Sequence, residues 1–256
     1  MKIATWNVNS VKVRLGHLLD YLREAEPDVL LLQEIKCQDD GFPRLEVQAA
    51  GYHVETHGQK SYNGVAILSR KTPGNVTRGL PGMEADPQAR YMEATFDGIR
   101  IATIYLPNGN PAPGDKFDYK LTWMRALLAQ IDRLLDAETP FVLGGDYNLC
   151  PTSADVFDPV GFAGDALCLP QSRALYREMI WRGLTDSFRA LNPDLTEAYS
   201  YFDYQAGAWE KGHGLRIDHL LLSPQTADRL LDSGIDKQMR AREKPSDHVP
   251  VWCTIS

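Results

Sequence analysis

The chain has 256 residues, a formal net charge of −7 and 43% hydrophobic residues. This composition supports a substantial folded core, and no run approaches the roughly 18 consecutive apolar residues of a membrane span. The negative net charge argues against a polyanionic partner, because phosphate binding needs Lys and Arg. It does not exclude nucleic acid, since a locally basic face can coexist with acidic surroundings. A soluble globular protein is expected.

The N-terminal segment MKIATWNVNS has no long apolar stretch, so it predicts an early strand and not a signal peptide. The cysteines are scattered without C-x-x-C spacing, which argues against a zinc site or a disulfide framework. They are Cys37, Cys150, Cys168 and Cys253. Reduced thiols and a cytoplasmic location are predicted.

Strand-like apolar runs alternate along the chain with segments of helical period, which indicates an α/β protein. The predicted strands are residues 2–8, 28–33, 64–69, 91–96, 99–106, 140–144, 216–222 and 249–255. Apolar stripes predict helices within 15–22, 117–135 and 175–180. Ser223 and Pro224 predict the start of a further helix that Gly234 ends. No repeat or linker divides the chain, so residues 1–256 are predicted to form one domain.

Polar side chains lie at or near the ends of several predicted strands. They are Asn7, Glu34, Tyr105, Asn108, Asp146, Asn148 and Asp218, joined by Asp247 and His248 near the C-terminus. Taken singly, each is ordinary strand-end or turn chemistry. Because ligand sites in open α/β sheets gather beyond one edge of the strands, residues far apart in sequence can converge there.

Several carboxylates in one place repel one another and carry a desolvation cost unless a cation neutralises them. Carboxylate and amide oxygens with few nitrogens suit Mg²⁺ or Mn²⁺ better than zinc, and Mg²⁺ is typically shared with substrate phosphates. The inventory therefore predicts metal-assisted hydrolysis of a phosphate ester.

Eight strings occur in order from residue 1 to the end: WNVNS, LLQEIK, YNGVAILSR, YLPNG, GGDYNLCPT, GLTDSFR, GLRIDHLLLS and KPSDHVPVW. Together they resemble the exonuclease III family of abasic-site endonucleases and 3′ exonucleases, within the endonuclease/exonuclease/phosphatase superfamily. The resemblance implies a deoxyribonuclease I-like fold. In this four-layered α/β/β/α sandwich, two mixed β-sheets pack face to face with helices outside.

The resemblance also implies a Mg²⁺ site, with Mn²⁺ as a substitute. Glu34 would be the main ligand, beside Asn7 and Asp247. The full set of candidate metal ligands is Asn7, Glu34, Asp146, Asn148, Asp247 and His248.

The catalytic residues implied by the resemblance are Tyr105, Asp146, Asn148, Asp218 and His248. Tyr105 would contact the phosphate or assist the leaving oxygen. Asp146 would orient or deprotonate the attacking water, and His248 would donate to a phosphoryl oxygen or assist with the proton, held in its tautomer by Asp218. Whether Asp146 or His248 is the general base stays open.

The substrate contacts implied are Arg90 on the DNA backbone and Asn108 near the scissile phosphate, with Tyr201, Leu215 and Ile217 around the baseless sugar. Arg90 could equally be a solvated surface residue, and the three pocket residues could be ordinary core. Residues 155–168 do not follow the family pattern closely, and the corresponding segment in the family lies near the DNA strand. His219 also departs from the family pattern, and a buried His219 would be a core residue.

The predicted function is Mg²⁺-dependent incision of duplex DNA 5′ of abasic sites, together with 3′-to-5′ exonuclease and 3′-end-unblocking activity. The protein is predicted to act as a monomer without membrane partners. One alternative keeps the fold and changes the substrate to an inositol phosphate or a phospholipid headgroup. Another is a catalytically silent nucleic-acid-binding relative. The latter predicts loss of metal and proton-transfer residues, whereas this chain retains them.

Overall fold

Twelve strands and seven α-helices make up the protein in the computed structural model, which describes residues 1–256. The strands are β1 (Lys2–Asn7), β2 (Val29–Gln33), β3 (His53–His57), β4 (Val65–Ser69), β5 (Gly74–Arg78), β6 (Tyr91–Phe96), β7 (Ile99–Tyr105), β8 (Phe141–Asp146), β9 (Thr185–Asp186), β10 (Asp218–Leu222), β11 (Leu230–Ile235) and β12 (Val251–Ile255). The helices are α1 (Leu15–Glu24), α2 (Arg44–Ala49), α3 (Asp115–Asp136), α4 (Pro170–Trp181), α5 (Ser187–Leu191), α6 (Ala208–Lys211) and α7 (Pro224–Ala227). Short 3-10 turns lie at Asp39–Gly41, Ser153–Asp155 and Lys237–Ala241.

The strands form two six-stranded sheets. The first has the order β11-β12-β1-β2-β4-β3 and the second the order β5-β6-β7-β8-β10-β9. Each sheet is mixed, because β1 and β2 run parallel, as do β7 and β8, while the remaining neighbours are antiparallel.

Three apolar clusters hold the layers together. Between the sheets, Leu31 of β2 packs in one cluster with Val142 of β8 and Leu220 of β10. Helix α1 covers the outer face of the first sheet, and α3 and α4 cover the outer face of the second. Because β2 is buried on both faces, it has a continuous apolar sequence instead of an alternating one. The layers confirm the predicted α/β/β/α sandwich.

All eight predicted strands are present, but the helix predicted from Ser223 to Gly234 is wrong. Helix α7 ends at Ala227, and the chain then forms β11, which pairs with β12 at the edge of the first sheet. Gly234 does not end a helix. A Cβ there would lie 2.7 Å from the ring of Trp252, so the glycine lets the β12 tryptophan approach the strand.

Strands β3, β5 and β9 were also absent from the sequence-based prediction. Strand β5 lies at a sheet edge, is largely exposed and has a register shift, so it lacks an alternating apolar pattern. All four cysteines are buried and unpaired. None of the helices combines the length and apolar character required to cross a membrane.

Candidate active site

A pocket of about 620 Å³ collects most of the residues predicted to form the site. The predicted residues that line it are Glu34, Tyr105, Asn108, Asp146, Asn148, Tyr201, Leu215, Ile217, Asp247 and His248. Asn7 and Asp218 are fully buried and contact lining residues, whereas Arg90 lies beside the pocket. The strand ends therefore converge as the sequence predicted.

Strand register explains how three of these side chains meet. Tyr105 is paired with Asp146 where the parallel strands β7 and β8 end together. Asp218 begins β10, which runs antiparallel to β8, so it also lies opposite Asp146. Close packing of β8 depends on Gly145, since a Cβ there would lie 1.9 Å from the Ile104 carbonyl oxygen.

His248 lies between two buried carboxylates. Its Nδ1 lies 2.9 Å from Oδ2 of Asp218, and its Nε2 lies 3.7 Å from Oδ2 of Asp146. The Ser200 hydroxyl donates to the same Asp218 oxygen at 2.6 Å, and Trp6 Nε1 donates to the His248 carbonyl at 3.0 Å. Ser200 was not recognised in the sequence because a single buried serine carries no motif.

This geometry shifts the ionisation of both partners. Burial alone would lower the pKa of His248, but the carboxylates of Asp218 and Asp146 outweigh burial and raise that pKa to about 10. Burial raises the pKa of Asp146 to about 7, although the charge of His248 acts in the opposite direction. At neutral pH the imidazole is therefore cationic and a hydrogen-bond donor, while Asp146 is able to accept a proton.

Glu34 sits in a dense set of donors at the other side of the pocket. Its Oε1 accepts hydrogen bonds from Asn7 Nδ2 at 2.8 Å and from the Tyr105 hydroxyl at 2.9 Å. Its Oε2 lies 2.8 Å from Nζ of Lys36. Burial opposes ionisation, but the hydrogen bonds from Asn7 and Lys36 prevail and lower the pKa of Glu34. The carboxylate is thus charged.

Asn7 links the Glu34 side of the pocket with the Asp146 side. Its Nδ2 donates to Asp146 Oδ2 at 3.0 Å as well as to Glu34. Asp247 enters from the last loop, where its Oδ1 accepts from Asn9 Nδ2 at 3.0 Å. The Ser246 hydroxyl anchors that loop by donating to the Asn7 carbonyl at 2.7 Å. The Ser-Asp turn chemistry and the placement of Asp247 in the site therefore coexist.

Asn108 and Asn148 form a third group. Asn108 Nδ2 donates to Asn148 Oδ1 at 3.0 Å, and the Asn148 backbone N–H donates to Asp146 Oδ1 at 2.8 Å. Asn148 Nδ2 donates to the Leu106 carbonyl at 2.9 Å, so both ends of the Asn148 amide have partners within the protein. The Asn148 backbone, held in place by these contacts, fixes the Asp146 carboxylate through its N–H.

The donor set fits a hard divalent cation at Glu34. Carboxylate oxygens of Glu34 and Asp247 face the pocket, and the ammonium of Lys36 already marks a cation-binding position on Glu34. The densest group of metal-ligating atoms is elsewhere: those of Asp146, Asp218 and His248 lie within 4.8 Å of one another. In this second group the imidazole Nδ1 is already engaged by Asp218 at 2.9 Å, an arrangement that suits proton transfer.

One part of the pocket wall is apolar. Tyr201, Leu215 and Ile217 lie there together with Leu167 and Phe157. Leu215 and Ile217 are 3% and 2% exposed, so they are both core residues and pocket lining. Residues 155–168, the segment that departs from the family pattern, contribute Phe157 and Leu167 to the pocket. These two residues were not singled out from the sequence.

Arg90, a predicted DNA contact, and His219, which departs from the family pattern, lie outside the pocket. The Arg90 guanidinium lies 4.7 Å from the centre of the Tyr105 ring and donates to the Tyr105 carbonyl at 3.2 Å. His219 is buried, with Nε2 2.9 Å from the Leu149 carbonyl oxygen and Nδ1 beside Arg216. As expected for a buried His219, it is a core residue.

Comparison with known proteins agrees with the geometry. Exodeoxyribonuclease III of Haemophilus influenzae is 36% identical over 265 residues, with 98% of each chain covered. A solved structure of the 3′ phosphatase NExo from Neisseria, bound to a product DNA hairpin, is 41% identical with a TM-score of 0.96, covering 100% of this chain and 99% of that one. An AP endonuclease from Archaeoglobus fulgidus is 35% identical with a TM-score of 0.96 at the same coverage.

Two packed sheets that carry acidic side chains and a charged imidazole to one pocket define a phosphodiesterase of the deoxyribonuclease I-like fold. The model of the endonuclease/exonuclease/phosphatase family matches residues 4–248. The chain belongs to this family.

Proposed function

We propose that the protein is a Mg²⁺-dependent DNA repair enzyme of the exonuclease III type, which incises duplex DNA 5′ of abasic sites and trims or unblocks 3′ ends. The observation that carries the proposal is the placement of His248 between Asp218 and Asp146 in the pocket that also contains Glu34. Similarity to an exodeoxyribonuclease, a 3′ phosphatase and an AP endonuclease supports both activities.

Glu34 would hold the metal, with Asp247 and Asn7 beside it. When bound, Mg²⁺ would supply positive charge that stabilises the attacked phosphate and the leaving oxygen. Oxygen ligands and a charged Glu34 carboxylate favour Mg²⁺, with Mn²⁺ as a substitute. Lys36 would have to release Glu34 Oε2 if that oxygen ligates the metal.

Asp146 would accept a proton from the attacking water, and His248 would donate to a phosphoryl oxygen. The raised pKa values of both groups support this division. His248 is charged at neutral pH and can donate a proton, whereas a carboxylate whose pKa lies near neutral pH can accept a proton from water more readily than an ordinary carboxylate. Asn148 would act mainly by fixing Asp146, and Asn108 would contact the phosphate. Tyr105 would orient Glu34 through its hydroxyl and lie close to the leaving oxygen.

The substrate would be double-stranded DNA with an abasic site or a blocked 3′ end. The apolar wall formed by Tyr201, Leu215 and Ile217 would receive a sugar that has lost its base. Arg90 would contact the DNA backbone beside Tyr105. We further propose that residues 1–256 act as one catalytic domain and as a monomer in the cytoplasm, where buried thiols stay reduced.

A purified sample would be tested on a labelled duplex with one abasic analogue, with Asp146→Asn as the matched variant. Asparagine keeps the shape of Asp146 but cannot accept the proton, so we expect incision by the wild type and a loss of about 10²- to 10⁴-fold in the variant. Undiminished activity of Asp146→Asn would overturn the assignment of Asp146 as the base. Thermal unfolding of both proteins would verify that the variant folds.

A further inference from the structure

One lysine stands on the buried face of helix α3. Lys120 has no exposed surface and lies between Phe117 and Met124, which belong to the apolar cluster beneath the second sheet. Packing alone would favour an apolar residue at such a position, because a buried ammonium carries a large desolvation cost. An exception of this kind requires specific partners.

The partners of Lys120 are three backbone carbonyl groups. Its Nζ donates to the carbonyl of Asn108 at 3.1 Å, of Asn148 at 2.6 Å and of Ala166 at 3.2 Å. An ammonium has three protons, so every donor is used. None of the ion pairs in the structure involves Lys120. The side chain therefore ties together three chain segments that are separate in sequence.

All three segments belong to the wall of the pocket. Asn108 and Asn148 contact each other through their side chains, and the Asn148 N–H holds Asp146. Asn148 has a φ of 45°, in the left-handed region that non-glycine residues seldom adopt. A charge-assisted hydrogen bond to its carbonyl is the kind of contact that can maintain such a conformation.

The stem of Lys120 is packed as closely as its end. A Cβ on Gly109 would lie 2.7 Å from Lys120 Cδ and 3.2 Å from Ala166 Cβ, and Gly109 itself has a φ of 91°. The loop after β7 thus rests directly on the lysine. Any change at Nζ is transmitted to the Asn108 and Asn148 backbone without an intervening flexible segment.

We propose that Lys120 is a positioning residue, which sets the Asn108 and Asn148 segments against the scissile phosphate and so holds Asp146 in its reactive orientation. This inference rests on the proposed function. Lys120 does not line the pocket and would not touch the substrate. A purely structural lysine would lower stability when replaced, whereas a positioning lysine would lower the rate of the chemical step in a protein that remains folded.

The test measures kcat and KM on the abasic duplex for Lys120→Met and Lys120→Gln, with Lys116→Met as the control. Lys116 lies on the same helix but is exposed. Methionine keeps the length of the stem and removes all three hydrogen bonds. Glutamine removes the buried charge and retains an amide donor, so it provides a folded variant if Lys120→Met fails to fold.

We expect kcat to fall about 100-fold in Lys120→Met, because a misplacement of about 1 Å can cost that factor, while KM changes little. Lys120→Gln should show a smaller fall in kcat, and Lys116→Met none. Combining Lys120→Met with Asn108→Ala should give less than the product of the separate losses, since both disturb the same contact with Asn148.

Wild-type kcat in a folded Lys120→Gln or Lys120→Met protein would overturn the proposal, as would fully multiplicative losses with Asn108→Ala. An inactive wild type would instead refute the proposed function. The two failures are therefore distinguishable in one series of assays.

Discussion

His248 Nδ1 and Asp218 Oδ2 are 2.9 Å apart, although thirty residues separate them in the chain, and both side chains are buried. The strand register places Asp218 at the start of β10, and the final loop brings His248 to it. Asp218 thereby fixes the orientation of the imidazole and directs Nε2 toward Asp146.

Asp218→Ala and His248→Ala should therefore lower kcat to similar degrees, by about 10²- to 10⁴-fold each. The double variant should be little worse than either single one, because removing either partner disables the same unit. Steady-state kinetics on the abasic duplex measures this. Losses that multiply in full would show that the two residues act separately.

Glu34→Gln should raise the Mg²⁺ concentration needed for half-maximal activity by at least about 10-fold, because the neutral amide is a weaker ligand for a hard cation. Glu26→Gln is the control, since Glu26 lies in an exposed ion pair with Arg70. A Mg²⁺ titration of the rate separates the two. An unchanged Mg²⁺ requirement in a folded Glu34→Gln protein would place the metal elsewhere.

Arg90→Ala tests whether that residue contacts the DNA backbone. Each phosphate contact contributes about 0.9 to the slope of log affinity against log salt, so the variant should lose close to one unit of slope. Arg229→Ala is the control, because Arg229 contacts Ser256 at the opposite end of the sheets. A slope equal to that of the wild type would show that Arg90 does not contact the DNA backbone and serves only to hold Tyr105 in place.

Arg216→Met should destabilise the fold. Arg216 is 2% exposed and contacts Asp155 at 2.7 Å and Asp186 at 2.8 Å. Its loss removes the cation that these two carboxylates share and leaves Asp155 with Arg189 alone. We expect the free energy of unfolding to fall by about 3 to 5 kcal/mol. In contrast, Arg182→Met, which breaks the exposed pair with Asp132, should cost at most about 1 kcal/mol. Urea denaturation measures both, and equal effects would contradict the account.

The same ion pair predicts a loss of stability in acid. Burial alone would raise the pKa of Asp186, but Arg216 prevails and lowers it to about 2, below the unfolded value near 3.9. A depressed folded pKa gives stability that is present above about pH 4 and is lost as the pH falls toward 2, here roughly 2 to 3 kcal/mol. Asp186→Asn should flatten this part of the stability curve. An equally steep acid loss in Asp186→Asn would assign it to other carboxylates.

The convergence of the strand ends could be predicted because several strand runs ended in polar residues. The layered architecture could be predicted only from the ordered motifs and the family they resemble, since periodicity alone indicates no more than an α/β protein. Edge strands such as β11 could not be predicted, since their pairing depends on β12 and not on a local pattern. Lys120 and Ser200 were also missed. Their importance lies in contacts with Asn148 and Asp218 that are distant along the chain, and neither residue carries a motif of its own.

Metal-dependent hydrolysis at this pocket is tested most directly with a panel of labelled duplexes that carry an abasic analogue, a 3′ phosphate or a recessed 3′ hydroxyl. Each would be incubated with Mg²⁺, with Mn²⁺ and with a chelator. We predict incision 5′ of the abasic analogue and processing of the 3′ ends with either metal, and no reaction with the chelator. An abasic duplex that stays uncut with both metals would contradict the proposed function, and full activity in the chelator would contradict the proposed metal.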